Sequence, residues 1–215
     1  MDISLQLVII LLLLNNFFLL ATGSMQMRIR LTAAQGILLA LLALLMPVSR
    51  DFTHALFFGL AVLGIKGLGL PWLLRRTAGS RIRQAQSVPR LGYNLSILAG
   101  ILALLCSLWL ETRLPVTPGF FPFLLFPAAF STIFAGFVLI VGRVRAITQV
   151  IGYLTAESGI FLLSLPLLSV AGGFWFELLL LLDALVAVFV MSMAINHINE
   201  TFASTDVERF CLLKD

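Results

Sequence analysis

Apolar runs of bilayer length follow one another along almost the whole chain, and that succession narrows its possible folds to one kind. About 20 consecutive apolar residues make one helical crossing of the hydrocarbon core. Seven such runs lie at about 3–22, 31–48, 52–74, 91–110, 120–141, 147–168 and 174–196. Of the 215 residues, 60% are hydrophobic and 11% charged. A soluble domain of this length could not hide so much apolar surface in its core. The expected fold is all-α: a polytopic membrane bundle of about seven transmembrane helices. The short connections leave no room for a soluble domain, so residues 1–196 read as one membrane domain and 197–215 as a short cytoplasmic tail. The amino-terminal run has Asp2 where a signal peptide has positive charge and is longer than a typical signal core, so it reads as a retained first span.

The charges orient the bundle. Arg28 and Arg30 fall between the first and second runs, Arg75, Arg76, Arg81, Arg83 and Arg90 between the third and fourth, and Arg143 and Arg145 between the fifth and sixth. The alternate connections carry Arg50 with Asp51, then Glu111 with Arg113, then no charge in SVAGG. By the positive-inside rule the amino terminus lies outside and the carboxyl terminus in the cytoplasm, in a multi-pass protein of the inner (cytoplasmic) membrane. The net charge of +4 thus reflects topology and implies no nucleic-acid partner. Cys106 and Cys211 stand on different elements at a spacing that fits neither a metal site nor an evident disulfide.

The few polar residues inside the runs carry the functional signal. Each of the last two runs holds a carboxylate near its middle, Glu157 and Asp183. A mid-bilayer aspartate costs about 2.5–3.5 kcal/mol on the insertion scale, and such residues mark an ion or proton path or a polar contact between helices. The third run holds Lys66 among Gly64, Gly67 and Gly69, with Pro71 beyond. Two readings of Lys66 stand: a side chain that snorkels to the boundary roughly 12 Å away, or a buried ammonium able to exchange its proton. For the two carboxylates the alternative to a path is a protonated, hydrogen-bonded helix contact. Asn15 and Asn16 in the first run suit interhelical hydrogen bonding. Gln35 is the polar group of the second, while His54 and Glu177 sit near the outer ends of their runs. Pro115, Pro118, Pro122 and Pro127 delay or kink the fifth helix.

A faint repeat relates 1–74 to 120–196. RIRLTAAQGILL opens the second run and RVRAITQVIGYLTAESGIFLL the sixth, and one span later each unit has an ionisable residue, Lys66 or Asp183. No cofactor or metal site and no phosphate loop is evident, and no hydrolytic or redox chemistry. One cation and two carboxylates at similar depth could pass a proton through intervening water. A partner must drive it, since moving one charge against 100 mV takes about 2.3 kcal/mol.

RVRAITQVIGYLTAESGIFLL, the Asp183 run and the tail ASTDVERFCLLKD resemble the K-type membrane subunit of respiratory complex I. Over its whole length the chain resembles hydrogenase-4 component E, a membrane subunit of the energy-converting group 4 nickel–iron hydrogenases. The resemblance implies a subunit of an oxidoreductase complex with no catalytic site of its own. It would lie between the hydrogenase module and antiporter-like membrane subunits, with Lys66, Glu157 and Asp183 on the proton path. Asp183 stands where the K-type subunit has a glutamate. Its other glutamate aligns with Leu154, three residues before Glu157 and on roughly the same helix face. A non-conducting scaffold and an independent solute transporter are the competing functions.

Overall fold

A computed structural model of the chain describes residues 3–46, 52–77, 92–113, 124–143 and 146–171, together with Leu182, Leu185, Val186 and Phe189. The helices are α1 (Ile3–Ala21), α2 (Met25–Leu45), α3 (Phe52–Val62), α4 (Leu70–Thr77), α5 (Tyr93–Arg113), α6 (Leu125–Gly142) and α7 (Ala146–Ala171). A π-helical segment, Leu63–Gly69, joins α3 to α4, so these three pieces make one crossing. Six helices among the described residues are long and apolar enough to span a membrane. The run expected at 174–196 lies outside the described residues apart from four helical, exposed positions.

Several ends differ from the sequence expectation. The second helix starts at Met25, not near 31, because the Ser24 side chain caps it by accepting from the Met27 N–H. Arg28 and Arg30, expected in a connection, therefore stand in the first two turns of α2. At the far end α5 runs on to Arg113 and takes in Glu111, with the Arg113 guanidinium 5.4 Å from the Trp109 ring centre. The delayed start of the fifth crossing is present: α6 begins at Leu125 after a left-handed Leu124 (φ 68°), with Pro127 in the first turn where its missing N–H is harmless.

The π segment was not legible beforehand, yet its cause is local. Pro71 has no N–H to give the Gly67 carbonyl four residues back, so the ladder widens, and the Leu70 N–H bonds to the Ile65 carbonyl. Closest approach occurs here too: a methyl group on Gly36 of α2 would collide with the Lys66 backbone. Along α6 and α7 glycines act the same way. A methyl on Gly152 would lie 2.8 Å from the Gly136 carbonyl oxygen, and one on Gly159 2.7 Å from that of Ala129. Small residues let helices in lipid gain packing contacts that bulk would forbid. On the bundle's flank, α5 buries a stripe of small residues, Ser96, Gly100, Ala103 and Ser107, and exposes Leu98, Leu102, Leu105 and Cys106.

Two apolar clusters divide the interior. One contains Leu12, Leu42, Phe58, Leu125, Phe161 and Leu165; the other contains Leu19, Ile29, Leu70, Leu139 and Ile151. Five crossings pass from one cluster to the other, and each places buried polar side chains between them. These are Asn15 and Asn16 on α1, Thr32 and Gln35 on α2, Lys66 on the π segment, Ser131 and Thr132 on α6, and Thr155, Glu157 and Ser158 on α7. A polar layer therefore crosses the bundle between two greasy ones.

Candidate functional site: a buried ion pair in a polar layer

Lys66 stands ten residues from either end of the crossing Leu56–Arg76, and Glu157 ten residues into Ile147–Pro166, so both lie close to mid-depth. The Lys66 ammonium donates to both Glu157 carboxylate oxygens at 2.6 Å. It also sits 4.6 Å from the centre of the Phe161 ring, one turn along α7. Phe161 stacks on Phe58 of α3 at 6.0 Å and closes one side of the pair. Lys66 is 3% exposed, which removes the snorkelling alternative: the ammonium points into the bundle.

The local structure explains the meeting. Gly36 lets the π segment lie against α2, and the wide π turn sets the azimuth of Lys66. Glu157 projects from α7, whose partner α6 is held close through Gly136 and Gly152. Opposite charges at this separation offset one another's desolvation only because the geometry is good and both oxygens are used. A proton donor and a proton acceptor thus stand in direct hydrogen-bond contact at mid-depth.

The layer around the pair is hydrogen-bonded across helices. The Asn16 amide donates to the Thr132 hydroxyl at 2.7 Å, the Gln35 amide donates to the Asn16 carbonyl oxygen at 3.5 Å, and the Asn15 amide donates to the Leu31 carbonyl at 3.2 Å. The asparagines thus make the interhelical bonds expected of them. Among the described residues, Gln35 Oε1 is a buried acceptor with no partner. Thr155 and Ser158 turn their hydroxyls back onto α7 carbonyls four residues earlier.

A second charged group closes one end of the bundle. Arg28 donates through Nε to the Thr22 carbonyl at 3.0 Å, and Arg143 donates to the Leu20 carbonyl at 3.2 Å. Two guanidiniums thereby satisfy the free carbonyls at the end of α1 and oppose its dipole. Arg143 also stacks on Tyr93 at 4.6 Å. Burial pulls the Arg143 guanidinium below the usual arginine range, and its contact with the Tyr93 hydroxyl offsets part of that. Both arginines, expected in connections between runs, are buried; their alignment with carbonyls of α1 had no signal in the sequence.

Of the three residues singled out from sequence, the structure brings Lys66 and Glu157 into contact; Asp183 lies outside the described residues, as do Glu177 and Arg145. Leu154 is buried in the apolar cluster that includes Ile151. Sequence reading did not join Gln35, Asn16 and Thr132 into a network. The available signal was that Gln35 and Asn16 are polar groups of otherwise apolar stretches. Among the described residues no group of three or more His, Cys, Asp and Glu side chains could hold a metal.

No family model matches the chain, and no solved structure matches it. The chain is 32% identical over 197 residues to Uncharacterized protein Rv0085 of Mycobacterium tuberculosis (strain ATCC 25618 / H37Rv), a match covering 87% of this chain and 85% of that protein. Identity at that level, sustained along most of both chains, makes this protein a member of the family of Rv0085.

Proposed function

We propose that the protein is a membrane subunit of an energy-converting hydrogenase or a related complex I-like assembly. In it, the chain joins antiporter-like subunits to the hydrogenase module and forms part of the proton path. The reading includes a seventh span at 174–196, an outside amino terminus and residence in the inner membrane. The observation that carries it is the Lys66–Glu157 pair at mid-depth, set in a layer of polar side chains from five crossings. Intramembrane ionisable residues are expensive, and a pair of them on different helices is a functional-site hypothesis by default. The resemblance to hydrogenase-4 component E supplies the kind of assembly.

The test is proton translocation by the intact complex in sealed vesicles. Glu157→Gln and Asp183→Asn should each abolish coupled translocation while the complex still assembles and its redox chemistry continues. A Glu157→Gln complex that builds a normal gradient overturns the reading. The tightness of the pair favours a second function, a non-conducting scaffold that pins helices for neighbouring subunits. In that case the complex falls apart when the chain is deleted, and the carboxylates are individually dispensable for pumping.

A further inference from the structure

A cavity of about 180 Å³ opens between α2 and α4, lined by Gln26, Ile29, Arg30 and Arg75. A single water needs about 10–15 Å³ of such space, so the cavity admits a polyatomic group. Its two guanidiniums come from different crossings: Arg30 from the early turns of α2, Arg75 from the end of α4. Among the described residues neither makes an ion pair, and the only described carboxylates, Glu111 and Glu157, belong to α5 and to the pair with Lys66. Two cationic forks facing one space, with no acid among the described residues to neutralise them, suit an oxyanion with several acceptor oxygens.

The surroundings say which kind. Trp72, one turn before Arg75, is 60% exposed and carries the Arg76 guanidinium 5.5 Å from its ring centre. An exposed tryptophan beside arginines marks the headgroup level of a membrane-spanning helix. Below Arg30 on the same face of α2, at intervals of 7, 11 and 14 residues, Ile37, Leu41 and Leu44 are exposed. Leu68, seven residues before Arg75, is exposed on the neighbouring crossing. Cationic groups at the headgroup level thus stand at the top of bare apolar helix faces.

We propose that this cavity is a binding site for the phosphate of an anionic phospholipid, gripped by Arg30 and Arg75, with its acyl chains lying along Ile37, Leu41, Leu44 and Leu68. Gln26 supplies an amide that can donate to the same headgroup. The site is independent of any proton path, since neither arginine belongs to the polar layer.

The test uses the full chain, in whatever assembly it is extracted from its membrane, washed in mild detergent and analysed for retained lipid by mass spectrometry. Titration with vesicles of phosphatidylcholine containing increasing phosphatidylglycerol then gives relative affinity. The native chain should retain phosphatidylglycerol, and Arg30→Gln or Arg75→Gln should each weaken its binding about fivefold, since a basic residue near an anionic surface contributes about 1 kcal/mol. Arg30→Lys/Arg75→Lys should keep most of the binding. That variant carries the test if the glutamine forms fail to fold, because binding no stronger than in pure phosphatidylcholine would then overturn the proposal. Arg113→Gln, on α5, should change nothing. Retention unchanged in Arg30→Gln/Arg75→Gln overturns the site. Displacement of phosphatidylglycerol by millimolar inorganic phosphate makes it a free-phosphate site and overturns the lipid. Loss of an acidic subunit from the double variant, with lipid retention unchanged, makes it a protein contact and also overturns it.

Discussion

A lysine and a glutamate at mid-depth are tolerable to this fold only together. With Glu157 changed to Gln, Lys66 keeps its place at 3% exposure and loses its counter-charge, and such a loss costs about 3–5 kcal/mol. Replacing both at once, as Lys66→Met with Glu157→Leu, removes the desolvation as well as the attraction and should leave stability unchanged or higher. Thermal unfolding of the two proteins in the same detergent checks this. Equal destabilisation by the single and the double change would mean that the two charges do not lean on each other. Gln35 allows the opposite experiment. Among the described residues its Oε1 has no donor, yet its amide donates to Asn16 at 3.5 Å, so Gln35→Leu trades one orphaned acceptor for another and should change stability by no more than about 1 kcal/mol. If the polar layer conducts, the same change should slow proton translocation, separating a path residue from a structural one.

At the scale of elements, the π segment decides whether the pair can form. Deleting Gly64, whose position meets no neighbouring atoms within 4 Å, takes one residue out of the wide turn. The turn can then close to α-helical width, so α4 keeps its register while Lys66, inside the turn, is displaced by one position. Lys66 should swing away from Glu157 while Phe58 keeps its place beside Phe161. The deletion should therefore destabilise about as much as Glu157→Gln, and combining the two should add little, as a double-mutant cycle by unfolding will show. Apolar runs made the crossings legible from sequence, and Asn15, Asn16, Gln35, Lys66 and Glu157 marked much of the interior layer, whereas Ser131 and Thr132 gave no signal. Helix ends were less legible, because Arg28 and Glu111 read as loop charges although a helix accommodates both. The wide turn was not legible at all. Its glycines and Pro71 were conspicuous, but a kink, a break and a widened turn share that composition. Nor could spacing pair Lys66 with Glu157, 91 residues apart, since that contact depends on which crossings become neighbours.

For the whole molecule, the arrangement makes topology testable. Reporter fusions at Gly23 and after Arg143 should report the cytoplasm, and one after Arg113 the outside, if basic connections remain inside. A fusion at Gly23 active only outside would invert the entire orientation. Among the described residues, large apolar side chains face outward along several crossings, from Ile10 and Phe18 on α1 to Leu102 and Trp109 on α5. The interior order of greasy, polar and greasy layers repeats on five crossings, so the polar layer is a property of the assembled bundle rather than of any single helix.

Only three residues separate α1 from α2, and Arg28 reaches back just six positions to hold the Thr22 carbonyl. A clasp this short can snap shut while the rest of the polypeptide is still on the ribosome. The opening pair of helices is therefore equipped to leave the insertion machinery already folded against itself, a ready-made wall on which each later arrival finds its seat.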